Sequence, residues 1–269
     1  MRITIKFKHK QKMSVLVILF INILNNKKMK NIIFFLIATL FSASLIFAQE
    51  SNIPMLGDNA PEFTAETTNG TIHFPNDFGK KWKIIFSHPM DFTPVCSSEI
   101  LELAQMQNEF DKLGVSLIIV STDNLERHNN WKKSLETLSY KNREAVAIKF
   151  PLVDDNKKVI SRQYGMIHPS SNTTKDVRGV FIIDPDNKIR SISFNPMEVG
   201  RNFDEIKRTV IALQTIKNSA VLTPANWQPG GDVLIPYLKS EDDSNTKVAS
   251  KNDPKLYEVA WYMVFKKMD

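Results

Sequence analysis

Cys96 is the only cysteine among 269 residues, and it lies in the run Ser87-His88-Pro89-Met90-Asp91-Phe92-Thr93-Pro94-Val95-Cys96-Ser97-Ser98-Glu99. The run is bracketed by two patterned segments. Lys83-Ile84-Ile85-Phe86 reads as a short buried strand, and Leu101 to Phe110 carries helical apolar spacing. The thiol therefore falls in the first turn of a helix that follows a strand, with Thr93 as N-cap residue and Pro94 at the first helical position. Free N–H groups and the positive end of the helix dipole favour an anion there, so the chemistry offered is that of a nucleophilic thiolate. A lone cysteine is more often a small buried hydrophobe, normally mid-strand or on the inner face of a helix. This one is flanked by Asp91, Ser97, Ser98 and Glu99. The residues alone leave both readings open.

Other side chains are ambiguous in the same way. Arg178 starts an aliphatic strand, where a charge is costly unless paired; by itself it reads best as a strand-end arginine reaching solvent. Arg201 reads as a residue at a helix start, and Glu99 as a first-turn carboxylate facing the helix dipole. His88 reads as a histidine closing a strand. His73, His88, His128 and His168 show no ligand spacing and only one cysteine exists, so no metal site is expected. There is no Gly-x-Gly-x-x-Gly and no P-loop, hence no nucleotide cofactor.

The elements around these residues alternate. After the Cys96 helix, which is expected to run to Leu113, Val115 to Val120 is an aliphatic run suited to a strand covered on both faces. Asn124 to Tyr140 reads as a helix capped by Asp123 or Asn124. Phe150 to Val153 and Val177 to Ile183 read as strands. Asp184-Pro185-Asp186-Asn187 is a hairpin turn into a strand over Ile189 to Phe194, and Phe203 to Ile216 is an amphipathic helix. The pattern implies an α/β fold with a mixed central sheet flanked by helices. Beyond about Ser219 the chain turns polar, through Lys239 to Pro254, and is apolar again from Tyr257 to Phe265. That last stretch is expected to pack on a partner subunit or on the main domain.

Charge is unevenly distributed. The chain holds 35 Lys+Arg against 29 Asp+Glu. Eight of the basic residues and none of the acidic ones fall in residues 1–48, leaving 27 basic against 29 acidic beyond them. The basic pI therefore does not indicate a nucleic-acid partner. Lys27-Lys28-Met29-Lys30, the apolar run Ile32 to Ala48 and the polar Gln49-Glu50-Ser51 together form a secretory signal peptide ending near Ala48; a retained membrane anchor is the alternative. Residues 1–28 are read as an over-extended start, with Met29 as the true one. Export to a periplasmic or extracellular space places Cys96 in an oxidising compartment, where without a second cysteine it cannot form an internal disulfide.

The spacing Pro-x-x-x-Thr-x-x-Cys (Pro89, Thr93, Cys96) resembles the active-site motif of peroxiredoxins of the AhpC/TSA superfamily. The longer string Phe86 to Cys96 resembles their one-cysteine, peroxiredoxin-6-like branch. The resemblance continues through Val177-Arg178-Gly179-Val180-Phe181-Ile182-Ile183-Asp184-Pro185, Gly200-Arg201-Asn202-Phe203-Asp204-Glu205 and Thr223-Pro224-Ala225-Asn226-Trp227, covering roughly residues 53–240. It implies a thioredoxin-like peroxidase domain over 49–215 and a small C-terminal peroxiredoxin domain over 216–269. It also implies a homodimer or higher homo-oligomer and thiol-dependent reduction of hydrogen peroxide and organic hydroperoxides, serving antioxidant defence and redox homeostasis. By the same resemblance Cys96 is the peroxide-attacking sulfur, Thr93 bonds sulfur and peroxide, and Pro89 shields the thiolate. Arg178 and Arg201 are the active-site arginines, Glu99 fixes them, and His88 lies near the sulfur. An external thiol must reduce the sulfenic acid. Gly79-Lys80-Lys81-Trp82-Lys83 lacks the serine of the Gly-x-Ser-x-Gly motif that some relatives carry, so no lipase activity is implied. The competing readings are a non-catalytic thioredoxin-fold redox sensor or chaperone-like module, marked by loss of Arg178 or Thr93, and a cysteine hydrolase, for which no orienting Asn or Asp is visible.

Overall fold

A computed structural model describes residues 53–169, 174–236 and 254–268. The signal peptide expected over 1–48 and most of the polar stretch Lys239 to Pro254 lie outside these residues. The central sheet has the order β5-β4-β3-β6-β7. Its strands are β3 (Trp82–Ser87), β4 (Val115–Ser121), β5 (Leu152–Asp154), β6 (Arg178–Ile183) and β7 (Ile189–Asn195). β3, β4 and β5 run parallel, whereas β6 runs antiparallel to β3 and pairs with β7 as a hairpin.

Each parallel step is bridged by a helix, as a crossover requires. α1 (Pro94–Lys112) links β3 to β4, and α2 (Leu125–Leu135) lies between β4 and β5. A short α3 (Val159–Gln163) follows β5, and α4 (Phe203–Asn218) follows β7. Every residue of β3 and β6 is buried, which explains why these strands read as near-continuous apolar runs rather than alternating ones. Alternate side chains of β3 feed two cores. Ile84 and Phe86 join Ile100, Leu103, Phe110, Trp131 and Val210 from the helices, while Ile85 joins Phe63, Phe74, Tyr164 and Phe181 on the other face.

Two smaller sheets flank the main one. β1 (Phe63–Ala65) and β2 (Ile72–Phe74) form an antiparallel hairpin whose Phe63 and Phe74 rings stack at 4.9 Å. β8 (Val233–Leu234), β9 (Leu256–Ala260) and β10 (Met263–Lys266) form a three-stranded sheet in the order β8-β10-β9. The apolar C-terminal stretch is thus a hairpin that buries Val264 and leaves Val259, Trp261 and Tyr262 exposed.

Two elements are shorter than the sequence suggests. α2 stops at Leu135 rather than Tyr140: the N–H groups of Thr137 and Leu138 turn to carbonyls three residues back, at Ser134 and Leu135, and the chain then enters a tight turn in which Lys141 and Asn142 take positive φ (52° and 58°), closed by the Tyr140–Arg143 bridge. β5 starts at Leu152, since Pro151 has no N–H to give the ladder and offers only its carbonyl, to Ile119.

Candidate active site

β3 ends at Ser87, and the chain bends through residues 88–93 before α1 begins at Pro94. Within the bend Phe92 takes φ 60°, a left-handed conformation unusual for an aromatic residue. It is held on both sides. The Asp91 N–H donates to the Asp123 carboxylate at 2.7 Å, and the Arg127 guanidinium lies 5.3 Å from the centre of the Phe92 ring. Thr93 is the N-cap residue of α1, in extended conformation with Pro94 behind it. Its side chain does not cap the helix, contrary to the role its position suggests. The hydroxyl turns back and donates to the Met90 carbonyl at 2.9 Å, closing the turn that precedes the helix. Cys96 is the third helical residue and is 1% exposed.

The side chains that surround the start of α1 come from two distant segments. Arg178 is the first residue of β6, and its Nη1–H reaches Cys96 Sγ at 3.4 Å and Glu99 Oε2 at 2.8 Å. Nε donates to the Met197 carbonyl just beyond β7 at 2.9 Å, and Nη2 donates to the same oxygen. Arg201 immediately precedes Asn202, whose side chain caps α4 by accepting from the Glu205 N–H. Its guanidinium bonds Glu99 through Nε at 3.0 Å and Nη2 at 2.7 Å, and its backbone N–H adds a third bond at 2.8 Å. Nη1 goes to the carbonyls of Ser87 and Gly179, and the guanidinium lies 5.1 Å from the Phe86 ring centre.

Glu99 thus sits between two fixed guanidiniums with four donors on its two oxygens. Burial alone would raise its pKa, but Arg201 and, behind it, Arg178 outweigh that and hold it below the ordinary glutamate value. Two cations and one carboxylate leave one positive charge uncompensated beside the sulfur. Arg178 is therefore no solvent-seeking strand end: it is 2% exposed, and all three of its guanidinium nitrogens are hydrogen-bonded.

Gly179 allows the sheet to close at this point. A Cβ there would meet Ser87 Oγ at 2.9 Å, where that hydroxyl now donates to the Val177 carbonyl and accepts from the Gly179 N–H.

The structure brings Cys96, Glu99, Arg178 and Arg201 into one bonded network. Pro89 is buried in the bend beside it. Thr93 makes no hydrogen bond to the sulfur, and neither does His88. His88 instead donates or accepts through Nε2 at 2.8 Å from Asp91, and its ring lies 5.1 Å from that of Trp131. Burial first, together with nearby Arg201 and His128, depresses the pKa of His88 despite the raising effect of Asp91. Asp91, His128 and Trp131 were not singled out by the sequence: they lie far apart along the chain, and His128 has no ligand spacing to mark it. Trp131 donates to Ser97 in the first turn of α1 at 3.2 Å. Among the described residues no group of three or more His, Cys, Asp or Glu is arranged to hold a metal ion.

The AhpC/TSA family profile matches residues 56–192, and the profile for the C-terminal domain of 1-Cys peroxiredoxin matches residues 212–251. A peroxiredoxin of Methanosarcina mazei is 46% identical over 216 residues, covering 80% of this chain and 98% of that protein. The chain belongs to the AhpC/TSA family of peroxiredoxins. The mitochondrial peroxiredoxin PRX1 of Saccharomyces cerevisiae is 38% identical over 231 residues, covering 82% of this chain and 87% of that one. Among solved structures, a yeast mitochondrial 1-Cys peroxiredoxin matches with TM-score 0.68 at 36% identity, covering 79% of this chain and 99% of that one. Peroxiredoxin 6 of Arenicola marina matches with TM-score 0.68 at 32% identity, covering 80% and 98%. This peroxiredoxin has the thioredoxin-like fold of the family and is a thiol-dependent peroxidase, and its single cysteine fits the one-cysteine mechanism.

Proposed function

We propose that Cys96, as a thiolate, attacks the distal oxygen of hydrogen peroxide or an organic hydroperoxide. An S–O bond forms as the O–O bond breaks; sulfur is oxidised to the sulfenic acid, and the displaced oxygen takes a proton and leaves as water or an alcohol. The observation that carries this reading is the Arg178 Nη1 contact with Cys96 Sγ at 3.4 Å, made by a guanidinium that Glu99 and Met197 prevent from turning away. A thiolate balances the one surplus positive charge, and the same fixed charge meets the oxyanion that develops as the peroxide opens. Thr93 commits its proton to Met90, so its oxygen lone pairs remain to accept from a peroxide O–H. Pro89 walls the bend against water, Arg201 and Glu99 fix the orientation of Arg178, and His88 lines the far side.

With a single cysteine, the sulfenic acid is reduced by an external thiol. The similar yeast mitochondrial 1-Cys peroxiredoxin, whose thiol is resolved via glutathione/thioredoxin systems, supports a partner of that class. The chain acts as a homodimer, a reading supported by the exposed Val259, Trp261 and Tyr262 on the β9–β10 hairpin. It acts outside the cytoplasm, as the basic start and apolar run before Gln49 suggest; N-terminal sequencing of protein from fractionated cells tests this, and a cytoplasmic protein retaining Met29 would overturn it.

Intact-mass measurement during stepwise peroxide addition tests the chemistry. One added oxygen on Cys96, removable by a small dithiol, followed by a second oxygen in excess peroxide, is the expected course. A disulfide between two Cys96 residues without added thiol would replace the proposed route.

A further inference from the structure

The second buried carboxylate near the site allows its protons to be counted. Asp91 Oδ1 lies 2.8 Å from His88 Nε2, and Oδ2 lies 2.7 Å from His128 Nδ1. The other nitrogen of His128, Nε2, lies 3.1 Å from the Val153 carbonyl. None of the three side chains is more than 1% exposed. Burial works against a charge on Asp91, but the hydrogen bonds from His128 and His88 overcome it and bring its pKa down to about 2. A carboxylate only accepts, so both imidazole nitrogens facing it carry hydrogen. The Val153 carbonyl also only accepts, so His128 Nε2 carries hydrogen as well. The one hydrogen of a neutral His88 is then on Nε2, and its Nδ1, buried and without a hydrogen-bond partner, is a bare lone pair.

We infer that His128 is a positioning residue for the peroxidase: held as a buried imidazolium between Asp91 and the Val153 carbonyl, it keeps Asp91 a carboxylate and, through it, fixes His88 as a neutral imidazole with Nδ1 open as an acceptor. The division of labour follows from the surroundings. Burial disfavours a charge on His88, and so do nearby His128 and Arg201. The remaining charged groups around the relay are Asp123, which accepts from the Asp91 N–H, Lys175 paired to Asp123, and Arg127, which donates to the Asp91 carbonyl and lies beside Asp123. Without the charge on His128, Asp91 has only His88 to supply a balancing proton, and Nδ1 changes from acceptor to donor. The inference rests on the reading that His88 lines the peroxide site.

The test has two arms. Two-bond proton–nitrogen correlation spectra of the full-length protein with labelled histidine, at neutral pH, should show N–H character at both nitrogens of His128 and a bare Nδ1 on His88. A neutral His128 with one N–H overturns the inference without touching the role of Cys96. Peroxide consumption by His128→Asn, which keeps an amide donor toward Asp91 but no charge, should fall on the acid side only, by about tenfold per pH unit below the new titration of His88, as for any group required in its deprotonated form. A loss that is uniform across pH marks a merely structural histidine and overturns it too. If His88→Asn turns over peroxide as fast as the parent while the His128 spectrum stands, the ring assignment survives, but the claim that the reaction uses the acceptor falls.

Discussion

Two buried carboxylates stand within one turn of the Cys96 helix or just before it, each clamped between two nitrogenous bases, and they are built for different purposes. Glu99 lies between Arg178 and Arg201, whose charge does not change at any working pH. Asp91 lies between His88 and His128, whose charge can change. The first clamp gives the sulfur a permanent cation; the second holds a histidine in one protonation form. A permanent field and a titratable lock thus share one end of the sheet.

Both clamps serve the same sulfur, so the largest effect is expected at Cys96. Cys96→Ser should abolish peroxide turnover with the fold intact, since the change is nearly isosteric; residual turnover above the free-solution rate would place the chemistry elsewhere. Next comes Glu99→Ala, which leaves two buried guanidiniums facing each other. Removing one member of such a network should cost about 3–5 kcal/mol, read as a fall in the denaturant midpoint. Asp91→Asn should cost less, about 1–3 kcal/mol, the scale of an unsatisfied buried polar group, and its cost should depend on pH. The pKa of Asp91 is depressed to about 2, so its contribution is complete above the ordinary value of 3.8 and is lost as pH falls from there toward 2. Parent and Asp91→Asn stabilities should therefore converge in acid; a gap that stays constant down to the lowest pH would show that the charge of Asp91 contributes nothing. The smallest effect is expected at the surface. Glu102 also faces two cations, Arg143 and Lys141, but in reach of solvent. Glu102→Gln should change stability by less than about 1 kcal/mol, which isolates burial as the source of the larger numbers.

These clamps also explain what was legible beforehand. The Cys96 helix, the aliphatic strands and the Asp184–Asn187 turn follow from local pattern, and the structure has them with boundaries shifted by a few residues. Glu99 and Arg178 could be picked out only with the help of a family resemblance. On residues alone Arg178 reads as a surface side chain, because its partners are 79 and 82 positions away in the chain. Asp91 and His128 were missed as a pair for the same reason, with 37 positions between them and no periodicity linking them. The C-terminal hairpin was seen only as an apolar stretch, since Val264 alone among the β9 and β10 residues is buried and the alternation that marks a half-buried strand is weak. The exposed Thr93 hydroxyl chose a carbonyl in its own turn over the helix N–H groups, a local competition that composition does not decide.

The central claim is that the fixed cation at Arg178 drives the reaction of Cys96 with peroxide. Stopped-flow measurement of Cys96 oxidation, followed through the fluorescence of Trp131, whose indole bonds Ser97 next to the cysteine, compares the parent with Arg178→Ala directly. The expected result is a second-order rate constant lower by about 10²-fold or more, the usual loss on removing one preorganised charge stabiliser. An unchanged rate constant in a folded Arg178→Ala protein would contradict it.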